Sequence, residues 1–163
     1  MWLINTPKKL KNLASRSPRF GEAGRSGQKS KRKTNKKLEW DDAHEIKQNI
    51  DEILKVLDFP HIDSSRIFCF RTFGSKSRSY ARIWAMPKIF QRALKIQPAY
   101  VIEVLSKYYD NLDEDSKKKV LIHELLHIPK NFSGALLSHR SRHRHLQSQV
   151  NQLFKEYKLA VGH

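Results

Sequence analysis

The chain has almost no cysteine: Cys69 is the only one in 163 residues. A lone thiol cannot form an internal disulfide, and no Cys-x-x-Cys pair exists to build a zinc ribbon. That usage fits a reducing compartment, so a cytoplasmic location is expected. Acidic residues are also scarce, 16 against 32 Lys and Arg, which leaves a formal net charge of +16. Long apolar runs are missing too. None reaches the roughly 20 residues that cross a bilayer, so no membrane partner is expected. The opening Met1-Trp2-Leu3-Ile4-Asn5-Thr6-Pro7-Lys8-Lys9 sets no charged segment before an apolar one, which argues against a secretory signal. No internal repeat is visible, and nothing in the composition fixes an oligomeric state.

The positive charge that is present is unevenly spread. Residues 1–38 hold twelve Lys or Arg against one acid, Glu22, and so carry +11 of the +16. From residue 5 to 38 the chain is rich in Lys, Arg, Ser, Gly and Asn and cannot bury enough surface to offset its ordering entropy. The expected organisation is a disordered basic tail, 1–38, ahead of a folded domain, 39–163. Lys29, Lys31, Arg32, Lys33, Lys36 and Lys37 are dense enough to contact DNA or RNA phosphates through counterion release. A tail that only keeps the protein in solution would have the same composition.

Past the tail the pattern becomes periodic. Ile46, Ile50, Ile53, Leu54 and Leu57 repeat at helical spacing, with Asp41 or Asp42 available as a cap and Phe59-Pro60 as a stop. Residues 66–72 and 79–85 read as strands, and the Gly74-to-Arg78 loop between them predicts a hairpin. Cys69 falls within the first strand, where a thiol fills a core. Residues 86–94 predict a short helix with Pro87 in its first turn, and 99–105 a third strand. A helix over the apolar run near 120–128 and a last helix ending near Leu159 complete an α+β domain.

The chemistry lies at His123-Glu124-Leu125-Leu126-His127. Residues four apart lie on one helix face, so His123 and His127 can offer two imidazole nitrogens to one zinc ion, with Glu124 beside it as the base. Val120, Leu121, Ile122, Leu125, Leu126 and Ile128 bury the segment. Asp113, Glu114 and Asp115 suit its start, and Pro129 stops it. The alternative is a core helix whose two histidines are merely hydrogen-bonded, but such groups are costly to bury unpartnered. A catalytic zinc takes three protein ligands. In the last helix the apolar face Leu146, Val150, Leu153, Tyr157 extends back through His143 and His139, while His145 lies about 100° away. His139 is nearest the turn 130–134 and is favoured as the third ligand. His143 then becomes a supporting group or a transition-state stabiliser.

Residues 120–129, then Phe132-Ser133-Gly134 and Leu137-Ser138-His139, resemble the family named putative phage and archaeal metallopeptidases, which is similar to the SprT-like group of zincins. The resemblance spans about 40–159. It implies that His123, His127 and His139 bind Zn2+, that Glu124 is the general base and that the substrate is a polypeptide. It also implies a compact zincin-like fold with a small antiparallel sheet, an active-site helix carrying the motif and a closing C-terminal helix. Residues 99–105 would then pair with an extended substrate by strand addition. SprT-like proteases act on DNA-bound proteins, which would give the basic tail a use. Two other readings stand beside this one: a metal-dependent ribonuclease, and a nucleic-acid-binding module whose zincin fold has lost catalysis.

Overall fold

The structure is a computed structural model that describes residues 37–138 and 143–162, with only the backbone at 143 and 144. The described residues all belong to one compact unit. In chain order they form β1 (Glu39–Asp42), α1 (His44–Val56), a 3-10 turn (Ser64–Arg66), β2 (Ile67–Phe73), β3 (Ala81–Ala85), α2 (Lys88–Leu94), β4 (Tyr100–Leu105), α3 (Ser106–Tyr109), α4 (Glu114–Leu125) and α5 (His143–Ala160). The α+β class, α1, α2, α4, α5 and the strands expected over 66–72, 79–85 and 99–105 follow the sequence pattern; α3 had no counterpart in it. No helix among the described residues is long and apolar enough to cross a membrane.

The sheet departs from expectation. Its order is β1-β2-β4-β3, with β2 and β4 parallel and the outer pairs antiparallel, so it is mixed rather than antiparallel. β2 and β3 do not form a hairpin: β4 lies between them. The cause is burial. Tyr100 and Ile102 to Leu105 are all buried, so β4 needs cover on both faces and takes a central place. The residues between β2 and β3 are too many for a tight two-residue turn that would force their pairing. Asp41 and Asp42 do not cap α1 either; they sit in β1, an exposed edge strand guarded by its own acids. Ala43 starts α1 instead, and its N–H donates to the Cys69 carbonyl at 3.0 Å.

One face of the sheet is covered by helices. Ile46, Ile50 and Ile53 of α1 are buried against Ile67, Cys69, Ile102 and Val104, and each such side chain contributes about 1.5–3 kcal/mol by leaving water. α4 packs on α1, α5 and β3, which is why it is apolar on more than one side. Its cap is as expected: the Asp113 carboxylate accepts from the Ser116 N–H at 2.8 Å. Glu52 of α1 ties three helices, accepting from Lys118 of α4 at 2.5 Å and from the Tyr157 hydroxyl of α5. Among the described residues the other face of the sheet carries no helix.

Candidate active site

The motif occupies the C-terminal end of α4. His123 and Glu124 lie in the helix, and the chain tightens immediately after it: the His127 N–H reaches the Glu124 carbonyl at 3.1 Å and the Ile128 N–H reaches Leu125 at 3.0 Å. These are bonds to the third residue back, the usual way a helix closes before a proline. His127 Nε2 and His123 Nε2 stand 3.3 Å apart. Two nitrogens held about 2.0–2.1 Å from one tetrahedral ion are separated by about 3.3–3.4 Å, so the pair fits a shared metal. The same spacing suits a ring-to-ring hydrogen bond, so the pair stays in register with or without an ion.

The orientation of His127 is fixed from behind. Its Nδ1 lies 2.9 Å from the Leu137 carbonyl oxygen. A carbonyl only accepts, so Nδ1 carries the proton and Nε2 presents its lone pair. The Leu137 N–H in turn donates to the His127 carbonyl at 2.8 Å. Leu137 arrives there because the chain reverses through Phe132 (φ 44°) and Gly134 (φ 74°). Tyr100 of β4 holds that reversal: its hydroxyl accepts from the Gly134 N–H at 2.9 Å and donates to the Ala135 carbonyl at 3.1 Å. Phe132 packs edge-on against the Tyr100 ring, centroids 4.9 Å apart. Gln91 of α2 adds a bond to the Ser133 carbonyl at 3.1 Å.

Glu124 is buried, and burial pushes its carboxyl up to about 7, opposed by a hydrogen bond from the Ile83 N–H of β3. That bond identifies the strand beside the motif. β3 bonds to β4 through Tyr80, whose carbonyl accepts from Leu105, and through Met86, whose N–H donates to Ala99. By the two-residue alternation of an antiparallel pair, the backbone groups of Ala81, Ile83 and Ala85 point to the free edge. The expectation that residues 99–105 receive a substrate strand is therefore corrected: β4 has both edges occupied, and β3 is the open edge. A cavity of about 380 Å3 lies between β3 and Glu124, His127 and Leu137, and a neighbouring one of about 430 Å3 touches His123, Glu124 and Ala81. Together they flank Glu124 along the length of β3.

The remaining site residues divide by position. His139 lies outside the described residues. His143 opens α5, but its side chain is not described. Among the described residues no third His, Cys, Asp or Glu joins the two imidazoles as a metal-binding group. Lys29, Lys31, Arg32, Lys33 and Lys36 also lie outside; Lys37 is exposed just before β1. Sequence reasoning missed Ile83 as the partner of Glu124. The signal was there: the small and aliphatic Ala81, Ile83 and Ala85 alternate with Arg82 and Trp84, the mark of a half-covered strand, whereas 100–105 is apolar at every position but Glu103.

No curated protein and no solved structure matches the chain. The family described as "Putative phage metallopeptidase" matches it over residues 38–157, a span that includes β1, the sheet, the motif helix and most of α5. The chain belongs to that family.

Proposed function

We propose that the protein is a zinc-dependent peptidase. The observation that carries this reading is the pair of Nε2 atoms 3.3 Å apart with the buried Glu124 carboxyl beside them on the open edge of β3. His123 and His127 would hold the ion. His139 is the third ligand in this reading: it follows Leu137 by two residues, within about 7 Å of chain, and Leu137 is hydrogen-bonded to His127 at both backbone and ring. Three imidazoles suit zinc better than the harder cations, which prefer oxygen. When bound, a zinc ion supplies Lewis acidity towards a water molecule and a carbonyl oxygen.

The chain's own groups do the rest. A polypeptide lying along β3 can bond to the outward backbone groups of Ala81 and Ala85, which fixes its register and brings one peptide unit over the motif. Glu124 takes a proton from the attacking water and delivers it to the leaving nitrogen. Its surroundings suit a proton carrier. Burial favours the protonated carboxyl, a nearby dication favours the carboxylate, and the group can then exchange a proton near neutrality.

The test pairs metal content with turnover. Wild-type protein and Glu124→Gln should both bind one zinc per chain, and only the wild type should cleave an unfolded protein such as casein. His139→Ala should lose tight zinc binding, and His143→Ala should keep it. Full proteolysis by Glu124→Gln would remove the glutamate from the mechanism, and stoichiometric zinc in His139→Ala would move the third ligand elsewhere.

A further inference from the structure

The face of the sheet that carries no helix is not polar. Trp40 of β1, Phe68 of β2 and Trp84 of β3 are each about half exposed on it (55%, 52% and 52%). Between the two tryptophans lies a trough of about 550 Å3 floored by Phe70, Val101 and Glu103, and Phe68 lies beside Val101 on the same face. Its central residue is unusual. Glu103 is buried in the middle strand, and its carboxylate accepts from the Trp84 indole at 2.7 Å, the Trp40 indole at 3.3 Å and the Thr72 hydroxyl at 2.5 Å. Arg82 stands 3.8 Å from the same carboxylate. One buried acid thus holds two tryptophans by their N–H groups, one from each edge of the sheet. The rings lose their rotational freedom, yet half of each stays in water.

Stability does not call for that arrangement, because an exposed indole gains little by being fixed. A partner with flat apolar faces does. We propose that this face binds single-stranded nucleic acid by stacking its bases on Trp40, Phe68 and Trp84. Stacking on aromatic side chains tolerates any base and needs bases that are not already stacked within a duplex. The surrounding charge is complementary to a phosphate backbone. Arg82 lines the trough, and Ser75 at its end also borders a cavity reached by Lys37 and Lys107; against these cations stand Glu39 at that cavity and Asp42, which the register of β1 with β2 sets on the same face as Trp40. The chain as a whole carries +16. The Glu103 carboxylate and both indole N–H groups are spent on one another, so the aromatic rings offer stacking faces alone and Arg82 is left for phosphate. Binding is therefore indifferent to sequence and to sugar. Glu124 and both motif histidines belong to the helix-covered side of the sheet, but Arg82 and Trp84 border the cavity beside Glu124 as well as the trough; Phe68 borders neither, so its variant reports on this face alone.

The experiment uses the full chain carrying Glu124→Gln, so that no proteolysis intervenes. Its affinity for a labelled oligothymidylate about 20 nucleotides long is measured at about 0.3 M salt, where the Debye length has shrunk to about 6 Å and loose lysine–phosphate attraction is weak. Phe68→Ala and Trp84→Ala should each weaken binding by at least about fivefold with residues 1–38 intact, and Trp84→Phe should keep most of it. Oligouridylate should match oligothymidylate within about threefold, and a duplex of equal length should bind more weakly. Phe68 makes no side-chain hydrogen bond that folding requires, so its variant separates stacking from misfolding. Unchanged affinity in both alanine variants, or a duplex that binds as tightly as the single strand, overturns the proposal. So does an unchanged affinity joined to slower cleavage of a protein substrate by the same changes in an otherwise wild-type chain, which would assign the face to polypeptide.

Discussion

Cys69 and Tyr109 show what burial does to single side chains in this protein. The Cys69 thiol sits between β2 and α1, and desolvation pushes it up to about 12. At about pH 8 the reactive thiolate is then all but absent. Iodoacetamide should leave the native protein unmodified and label it fully in denaturant, as mass spectrometry would read; rapid native labelling would mean the strand opens. Tyr109 is buried at α3, and its hydroxyl has no hydrogen-bond partner among the described residues. A buried hydroxyl without a partner costs free energy, so Tyr109→Phe should raise stability by about 1 kcal/mol, seen as a higher urea midpoint. A loss of stability would reveal a bond to solvent. The burial of Cys69 is legible in sequence from its place within a strand; that of Tyr109 is not, because nothing in the residues around it marks α3. His123, Glu124 and His127 are legible because their spacing itself encodes the shared helix face. The N–H that Ile83 lends to Glu124 is not, because it depends on which strand lies at the sheet edge.

At the scale of elements, the segment from Pro129 to Leu137 decides the site. Gly134 has φ 74°, and a Cβ there would lie 2.1 Å from the Gln91 amide nitrogen and 2.5 Å from the Met86 carbonyl oxygen. Gly134→Ala should cost about 2–4 kcal/mol from the left-handed backbone and the clash together. It should also loosen Leu137 from the His127 ring, so zinc affinity should fall along with the thermal midpoint. A variant of normal stability and normal zinc affinity would show that the reversal does not orient His127. The sequence marks this turn through Phe132-Ser133-Gly134 and Pro129. It marks the strands as well, through their alternation, but not their order. Order depends on competition for the sheet centre, and β4 wins because its residues are buried on both faces. β1 escapes notice for the opposite reason: Glu39, Asp41 and Asp42 are poor strand formers, and only their pairing with β2 makes them one.

For the molecule as a whole, acid is the predicted weakness. The Arg71 guanidinium beside Glu45 holds that carboxyl below its usual range, the Lys118 ammonium and then the Tyr157 hydroxyl do the same for Glu52, and the Ser116 N–H does so for Asp113. A carboxyl depressed in the folded state contributes stability that is present above its unfolded pKa, near 4, and is lost as pH falls through the folded value. In the metal-free protein urea midpoints should rise from about pH 7 to 5, as the raised Glu124 carboxyl takes up its proton in the folded state, and drop below about pH 4 as the depressed carboxyls lose their pairings; a protein equally stable at about pH 3 would contradict these pairings. The strand order also sets a sequence of events in time. β3 has no neighbour except β4, which lies later in the chain, and β4 must first close a long loop to align with β2. During synthesis the wall beside Glu124 therefore stays unbuilt until residue 105 has emerged, and α4 and its histidines follow later still. A nascent chain shorter than that holds neither the β3 wall nor the motif histidines, so the two halves of the candidate site are joined only after the sheet centre has closed.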